Sequence, residues 1–143
     1  KIANIIDMEI SKIKYKGDLR TEAVHLSSGD CIITDAPKDN MGKGAAFSPT
    51  DLMATSLGCS AVTIMGITAN KQGIKIGEID MTIEKHMASD PRRVKKVVVK
   101  MMISDSGNLT DSQKKVLENA ALTCPVSKGL HPDLEQDFRF EYL

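Results

Sequence analysis

Alternating apolar and polar residues predict two groups of strands, one at the start of the chain and one in its second half. This alternation is the period of a strand with one buried face, and it is clearest at Ile79, Met81 and Ile83. The predicted strands are residues 5–15, 19–26, 31–34, 76–87 and 94–104, with a last strand around 138–140. A short turn at 89–91 joins the fourth and fifth strands, which therefore form a hairpin.

The long stretch between the two groups of strands predicts a single helix. It opens with Ser48 as N-cap, Pro49 at the first helical position and Asp51 as an acid in the first turn. It runs to about Gln72, and Gly73 ends it. Its residues are apolar or small on nearly all sides, which indicates a helix that is buried on most sides rather than an amphipathic surface helix.

Two shorter helices are predicted near the end of the chain. Thr110 and Gln113 are spaced as a capping box for a helix that reaches Leu122. Pro125 suits a first helical position, so Cys124 is expected to be the N-cap of a second, short helix. The order βββ-α-ββ-α-α-β predicts an α+β fold with a mainly antiparallel sheet, and the length fits a single domain over residues 1–143.

Charge and hydropathy narrow the range of partners. The 19 basic and 19 acidic residues cancel, so electrostatics give no reason to expect nucleic acid or an anionic membrane as a partner. The longest apolar stretch, residues 52–69, is interrupted by Thr, Ser and Gly, which makes it too polar for a membrane span. The 3 cysteines are too few for a disulfide scaffold and no secretory signal precedes them, so a cytoplasmic location is expected.

The cysteines are the strongest candidates for chemistry. A thiol at a helix N-terminus meets free backbone N–H groups and the positive end of the helix dipole, which favours the reactive thiolate of Cys124. Cys59 lies in the middle of the long helix, where it is either a reactive thiol or a small buried residue packed like alanine. Cys31 is expected in the core or on a sheet face. The histidines lie far apart without metal-ligand spacing, so neither a metal nor a cofactor is expected.

Three segments of the chain carry a family likeness: the helix opening Ser-Pro-Thr-Asp-Leu at 48–52 with its later cysteine, the hairpin of residues 79–103, and Cys-Pro-Val-Ser at 124–127. Together they resemble the OsmC/Ohr family, the osmotically inducible and organic hydroperoxide resistance proteins. The likeness covers nearly the whole chain. It implies that family's fold, with a long buried central helix, and an intertwined homodimer with two active sites at the subunit interface.

The resemblance also implies a thiol peroxidase. Cys59 would attack a small apolar organic or fatty-acid hydroperoxide and become a sulfenic acid, which condenses with Cys124 before a dithiol donor reduces the disulfide. In the family an arginine of the N-terminal strands assists the thiolate, and an acid near the start of the buried helix positions that arginine. Arg20, the only arginine before residue 92, matches the first role, and Asp51 matches the second.

One departure from the family pattern leaves other functions open. The family's reactive cysteine falls eight positions after the residue equivalent to Leu52, where this chain has Ser60, and Cys59 comes one residue early. One residue turns a side chain by about 100° around a helix. If Ser60 holds the reactive position, the fold serves as a non-catalytic binding protein for a small lipid-like ligand. A third hypothesis is acyl hydrolysis by Cys124 or Cys59 with His131 as base.

Overall fold

The N-terminal part of the chain is a compact unit built on an antiparallel sheet. The computed structural model describes residues 8–143, which divide into one unit up to Thr50 and a second from Asp51. In the first unit the strands β1 (Ser11–Gly17), β2 (Arg20–His25) and β3 (Cys31–Asp35) pair in that order. The predicted strands are found, although β1 begins later than expected and residues 1–7 lie outside the described part. The single domain over 1–143 stays a prediction.

The loop after β3 folds back on the end of that strand. It contains a short 3₁₀ turn, Lys38–Asn40. The N–H of Gly44 donates to the carbonyl of Ala36 at 3.1 Å, and the N–H of Asp35 donates to the carbonyl of Phe47 at 3.1 Å. The loop therefore closes beside Asp35.

The second unit is built around a sheet whose central strand is deeply buried. The elements that follow β3 are α1 (Pro49–Gln72), β4 (Ile79–Ala88), β5 (Arg93–Ile103), α2 (Asp111–Leu122), α3 (Pro125–Gly129) and β6 (Glu135–Tyr142). Strand β5 lies between β4, which is antiparallel to it, and β6, which is parallel to it. Val97, Val99 and Met101 of β5 have no exposed surface. The parallel pair goes beyond what the strand pattern predicts, and it forms because α2 and α3 supply the crossover that parallel strands need.

One face of α1 packs into the hydrophobic core of the second unit. Leu57, Ala61 and Met65 recur at helical spacing and are wholly buried. Gly58, on the same face, lies so close to β4 that a Cβ placed on it would be 2.7 Å from Cδ1 of Ile83. Another side of the helix is exposed in the single chain, at Cys59, Thr63 and Ile67. Burial of that side in a homodimer stays a prediction.

The first unit carries an apolar surface of a different kind. All the buried residues of the hydrophobic core cluster belong to the second unit. On the sheet of β1, β2 and β3, by contrast, Ile13 is 70% exposed, Tyr15 64% and Ile32 52%. Exposed apolar side chains grouped in this way indicate an interaction surface.

By length and composition alone, α1 is apolar enough to cross a membrane. This differs from the expectation that its Thr, Ser and Gly residues make it too polar. The core helix of a soluble protein meets the same criteria, and Leu57, Ala61 and Met65 are buried in the protein core.

The helix ends follow the local signals in the sequence. Helix α1 ends at Gln72, and Gly73 has a φ of 65°, in the left-handed region that favours glycine. At the start of α2 the hydroxyl of Thr110 accepts the N–H of Gln113 at 3.1 Å, and the Gln113 side chain accepts the N–H of Thr110 at 3.0 Å. The predicted helix stop and capping box are both confirmed.

The substitutions Gly58→Ala and Gly66→Ala test the close approach of α1 to β4. Alanine in place of glycine inside a helix stabilises by about 1 kcal/mol when nothing else changes. At Gly66 an added Cβ meets nothing within 4 Å, so we expect the free energy of unfolding to rise by about that amount. At Gly58 the Cβ must displace Cδ1 of Ile83, so we expect no gain or a loss. Urea unfolding at one fixed protein concentration measures both changes.

The variant Ile83→Val is the matched control because it removes Cδ1. In that background Gly58→Ala should recover a gain of about 1 kcal/mol. If Gly58→Ala stabilises the wild type as much as Gly66→Ala does, then α1 does not approach β4 as closely as described.

Candidate active site

Cys59 is an exposed thiol on the outer side of α1. It follows Gly58, which faces Ile83 of β4, and one helical residue turns its side chain by about 100° from that face. Its backbone carbonyl accepts a hydrogen bond from Oγ1 of Thr63 at 2.7 Å. In the single chain Cys59 therefore lies off the core-facing side of the helix and is not packed in the core like an alanine. Ser60, one residue further around, is half-buried.

Cys124 is a buried thiol at the start of α3. Its backbone has the extended conformation of an N-cap, and the N–H of Ser127 donates to its Sγ with an N···S distance of 3.4 Å. The predicted N-cap is confirmed, with Pro125 at the first helical position. The thiol has no exposed surface and belongs to the hydrophobic core. A reagent in solvent thus meets Cys59 directly, and meets Cys124 only if the α3 turn moves.

Two hydrogen bonds from β6 hold the α3 turn. The side-chain Nε2 of Gln136 donates to the carbonyl of Ser127 at 3.0 Å, and Oγ of Ser127 donates to Oε1 of Gln136 at 2.5 Å. The same Oγ lies 3.2 Å from the carbonyl oxygen of Leu122, at the end of α2. Ser127 therefore connects α2, α3 and β6 beside Cys124. Local sequence patterns do not reveal Gln136, because it reaches Ser127 from a different element.

Arg20 forms a bidentate ion pair with Asp35 in the first unit. Its Nε lies 2.7 Å from Oδ1 of Asp35 and its Nη2 lies 2.8 Å from Oδ2. The two residues face each other directly across β2 and β3. The N–H of Ala45 also donates to Oδ2 of Asp35 at 3.0 Å, so this carboxylate joins Arg20 to the loop. Sequence reasoning missed Asp35, although a hairpin turn centred on residues 27–28 implies the register that pairs it with Arg20.

The ion pair changes the pKa of both groups. The hydrogen bond from Arg20 holds the pKa of the Asp35 carboxyl below its usual 3.8, although desolvation acts the other way, and the Ala45 N–H adds to the lowering. The same bond raises the pKa of Arg20. The Asp35 side chain is only 3% exposed, whereas that of Arg20 is 39% exposed. Arg20 is therefore a charged group that Asp35 holds in place while part of its side chain remains exposed to solvent.

Asp51 has a different partner from the one that the resemblance implies. It lies in the first turn of α1, and its Oδ1 is 2.6 Å from Nζ of Lys85 on β4. This pair lies within the second unit, and Arg20 belongs to the first. The positioning of Arg20 by Asp51 therefore stays a prediction.

Cys31 and His131 are both exposed. Cys31 lies on an exposed face of the sheet, on β3, and not in the core. The side chain of His131 is 65% exposed, and its Nδ1 accepts the N–H of Asp133 at 3.0 Å. Burial of Cys124 does not favour hydrolysis by that thiol with His131 as base. Hydrolysis by Cys59 with His131 stays a prediction. In residues 8–143 no cluster of three or more His, Cys, Asp or Glu is placed to hold a metal ion.

Fold and cysteine placement together define an α+β protein with one thiol on a long core helix and another at a Cys-Pro helix start. The family model for OsmC-like proteins matches residues 42–137. The chain belongs to this OsmC-like family.

Solved structures share the fold over almost their whole length. A Psychrobacter arcticus protein, named for an osmotic stress induced and detoxification response, is 49% identical, with a TM-score of 0.88 over 94% of this chain and 96% of that one. An organic hydroperoxide resistance protein from Legionella pneumophila is 18% identical, with a TM-score of 0.75 over 95% and 98%. One from Elizabethkingia anophelis, with thiocyanate bound, is 14% identical, with a TM-score of 0.74 over 97% and 100%. The last two show a common fold alone. No curated protein matches the chain.

The variant Asp35→Asn tests the Arg20 ion pair through the pH dependence of stability. Because folding lowers the pKa of Asp35, its carboxylate stabilises the folded protein above the unfolded pKa of about 3.9. This stabilisation is lost as the pH falls through the lower folded value. We expect the wild type to unfold at a higher temperature than the variant at about pH 7, with the difference closing below about pH 4. Thermal unfolding across that range measures it.

The control is Asp30→Asn, at the exposed turn of the same hairpin. It should follow the wild-type pH profile. A difference between wild type and Asp35→Asn that persists unchanged in strong acid would contradict the assignment of this stability to the Asp35 charge.

Proposed function

We propose that the protein reduces organic or fatty-acid hydroperoxides by thiol chemistry. The observation that carries the proposal is the unequal placement of two cysteines in the second unit, with Cys59 exposed on α1 and Cys124 buried at the start of α3. The exposed thiol is open to a peroxide, and the buried thiol is shielded from it. Membership of the OsmC-like family supports the proposal, as do the names of the Legionella and Elizabethkingia proteins.

In the first step the Cys59 thiolate attacks the outer oxygen of the hydroperoxide. An S–O bond forms while the O–O bond breaks, and the alkoxide leaves and takes up a proton to become an alcohol. The sulfur is oxidised to a sulfenic acid by the two electrons that reduce the peroxide. A thiolate is needed because the neutral thiol is a weak nucleophile.

Arg20 supplies positive charge to the thiolate and to the departing alkoxide in this proposal. Its bonds to Asp35 use Nε and one N–H of Nη2, and a guanidinium has further N–H groups to offer. Asp51 is proposed to help orient this arginine, as the family resemblance implies. Asp35 restrains the same guanidinium from the opposite strand.

In the second step the thiol of Cys124 attacks the sulfur of the Cys59 sulfenic acid. An S–S bond forms and water leaves, carrying the hydroxyl of the sulfenic acid and the thiol proton. A dithiol donor then reduces the disulfide and is itself oxidised. A cytoplasmic location is proposed with this step, because that compartment keeps dithiols reduced.

A homodimer is part of the proposal. The exposed apolar side chains of the first unit, such as Ile13 and Tyr15, and the exposed Ile67 on the outer side of α1 support an extensive contact with a second copy. We propose that this association completes two active sites. No nucleic acid or membrane partner is proposed.

Ser60 supports a second candidate function. It occupies the position of the family's reactive cysteine, and serine cannot form a sulfenic acid. Its half-buried place beside Cys59 fits a non-catalytic protein that binds a small lipid-like ligand at the same site.

Turnover of cumene hydroperoxide with a dithiol donor tests the catalytic proposal. We expect Cys59→Ser to abolish turnover, because it removes the attacking sulfur. Arg20→Ala should lower the rate by about tenfold or more, since it removes positive charge from the thiolate. Cys124→Ser should leave a Cys59 sulfenic acid that a dimedone probe traps. Cys31→Ser is the control, as an exposed cysteine outside the proposed chemistry, and should act like the wild type.

The double variant Cys59→Ser with Ser60→Cys separates the two candidate functions. If Cys59 is the working nucleophile, the double variant stays inactive, because the new thiol points about 100° away. A nearly inactive wild type whose double variant gains turnover would overturn the proposal for Cys59 and favour the binding protein.

Light scattering tests the association of two chains. We expect a mass of twice 15.6 kDa at micromolar concentration, because a monomer would leave the apolar sheet residues in water. Ile13→Lys should shift the equilibrium towards monomer, whereas Lys12→Glu, on the neighbouring position of β1, is the control and should not. A stable wild-type monomer would count against the dimer.

A further inference from the structure

We propose that Gln136 is a positioning residue for Cys124. The side-chain amide of Gln136 holds the α3 turn closed over the buried thiol. The role assigned to Cys124 in catalysis rests on the proposed function, but the hold on the turn does not. The amide makes two hydrogen bonds to a single residue, Ser127, which in turn donates its backbone N–H to Sγ of Cys124.

The α3 turn needs a partner because it is too short to be stable alone. It spans only Pro125–Gly129, and isolated helices shorter than about 12 residues are marginal in water. At its two ends the N–H of Lys128 donates to the carbonyl of Cys124, and that of Leu130 to the carbonyl of Val126, each at 3.1 Å. A tertiary contact therefore decides whether the turn stays closed.

Gln136 is well placed to supply that contact. It lies on β6 directly opposite Val97, a residue of the central strand with no exposed surface. The amide thus extends from a rigid strand. Its nitrogen donates to the Ser127 carbonyl and its oxygen accepts from the Ser127 hydroxyl, so both ends of the amide are used and its orientation is fixed.

Movement of Ser127 would release the thiol. The Ser127 N–H is the group that donates to Sγ of Cys124, three residues earlier. If Ser127 moves away from Gln136, this bond also breaks and the N-cap opens. For a disulfide with Cys59 the two Cα atoms must come within about 7 Å, and the fully buried Sγ must become accessible to the sulfenic acid. Opening of the turn therefore controls access to Cys124.

The test is the alkylation rate of Cys124 in the full-length chain carrying Cys31→Ser and Cys59→Ser, so that a single thiol remains. N-ethylmaleimide is the probe, with mass spectrometry as the readout. Gln136→Met keeps the length and volume of the side chain but removes both hydrogen bonds. We expect it to speed alkylation by about tenfold, the factor expected for the loss of one or two net hydrogen bonds.

Two further variants separate positioning from packing. Gln136→Glu keeps an acceptor for the Ser127 hydroxyl but turns a negative charge towards the Ser127 carbonyl, so it should speed alkylation at neutral pH although the site stays filled. Ser127→Ala loses the contacts of the hydroxyl with Gln136 and with the Leu122 carbonyl but keeps the bond from Nε2 of Gln136 to the Ser127 carbonyl, so it should have a smaller effect. Combined with Gln136→Met it should add little, because the two share one interaction. Ser127→Ala also serves as the test if Gln136→Met does not fold.

The matched control is Gln113→Leu, which removes a capping-box bond of α2 without touching Ser127. It should leave the alkylation of Cys124 near the rate of the parent protein. Equal rates in Gln136→Met and its parent would overturn the proposal, as would an equal acceleration in Gln113→Leu, which would indicate general loosening. If alkylation responds as expected while the wild type reduces no peroxide, the role of Gln136 stands and the proposed catalytic function fails.

Discussion

The contact between Gly58 of α1 and Ile83 of β4 determines how the long helix is rotated against its sheet. An added Cβ would lie 2.7 Å from Cδ1 of Ile83, so any larger residue at this position requires Ile83 to shift. With Gly58 directed at the sheet, the rotation of every other residue on α1 is set by helical geometry, about 100° per residue. Cys59 consequently lies on the exposed side and Ser60 is half-buried. The accessibility of the thiol thus depends on its glycine neighbour.

Features governed by neighbouring residues could be predicted from the sequence. The capping box of Thr110 and Gln113, the N-cap of Cys124 and the end of α1 at Gln72 depend on backbone groups within one turn of helix, and all three are present. The order of strands and helices follows from hydrophobic periodicity for the same reason. Each of these features is therefore defined by residues that lie only a few positions apart in the sequence.

Features governed by distant residues could not be predicted in this way. The parallel pairing of β5 with β6 depends on where α2 and α3 place the last strand, and alternation along a strand carries no information about its neighbour. The exposure of Cys59 could not be predicted without knowing how α1 is rotated against β4. The pair of Arg20 and Asp35 is an intermediate case. The position of the hairpin turn implies the register that pairs them, but the hydrophobic pattern alone does not predict it.

The two cysteines of the second unit differ in how they are protected, and this difference has a chemical consequence. An exposed thiol that meets peroxide becomes a sulfenic acid, and further peroxide can carry it to irreversible oxidation unless a second thiol condenses with it first. A second thiol left in solvent would be exposed to the same oxidant. Burial of Cys124 removes that exposure. The turn that covers it is only five residues long. In the proposed reaction the amide of Gln136 and the packing at Gly58 would act on the same chemistry, because one would keep Cys124 covered while the other directs Cys59 away from the core.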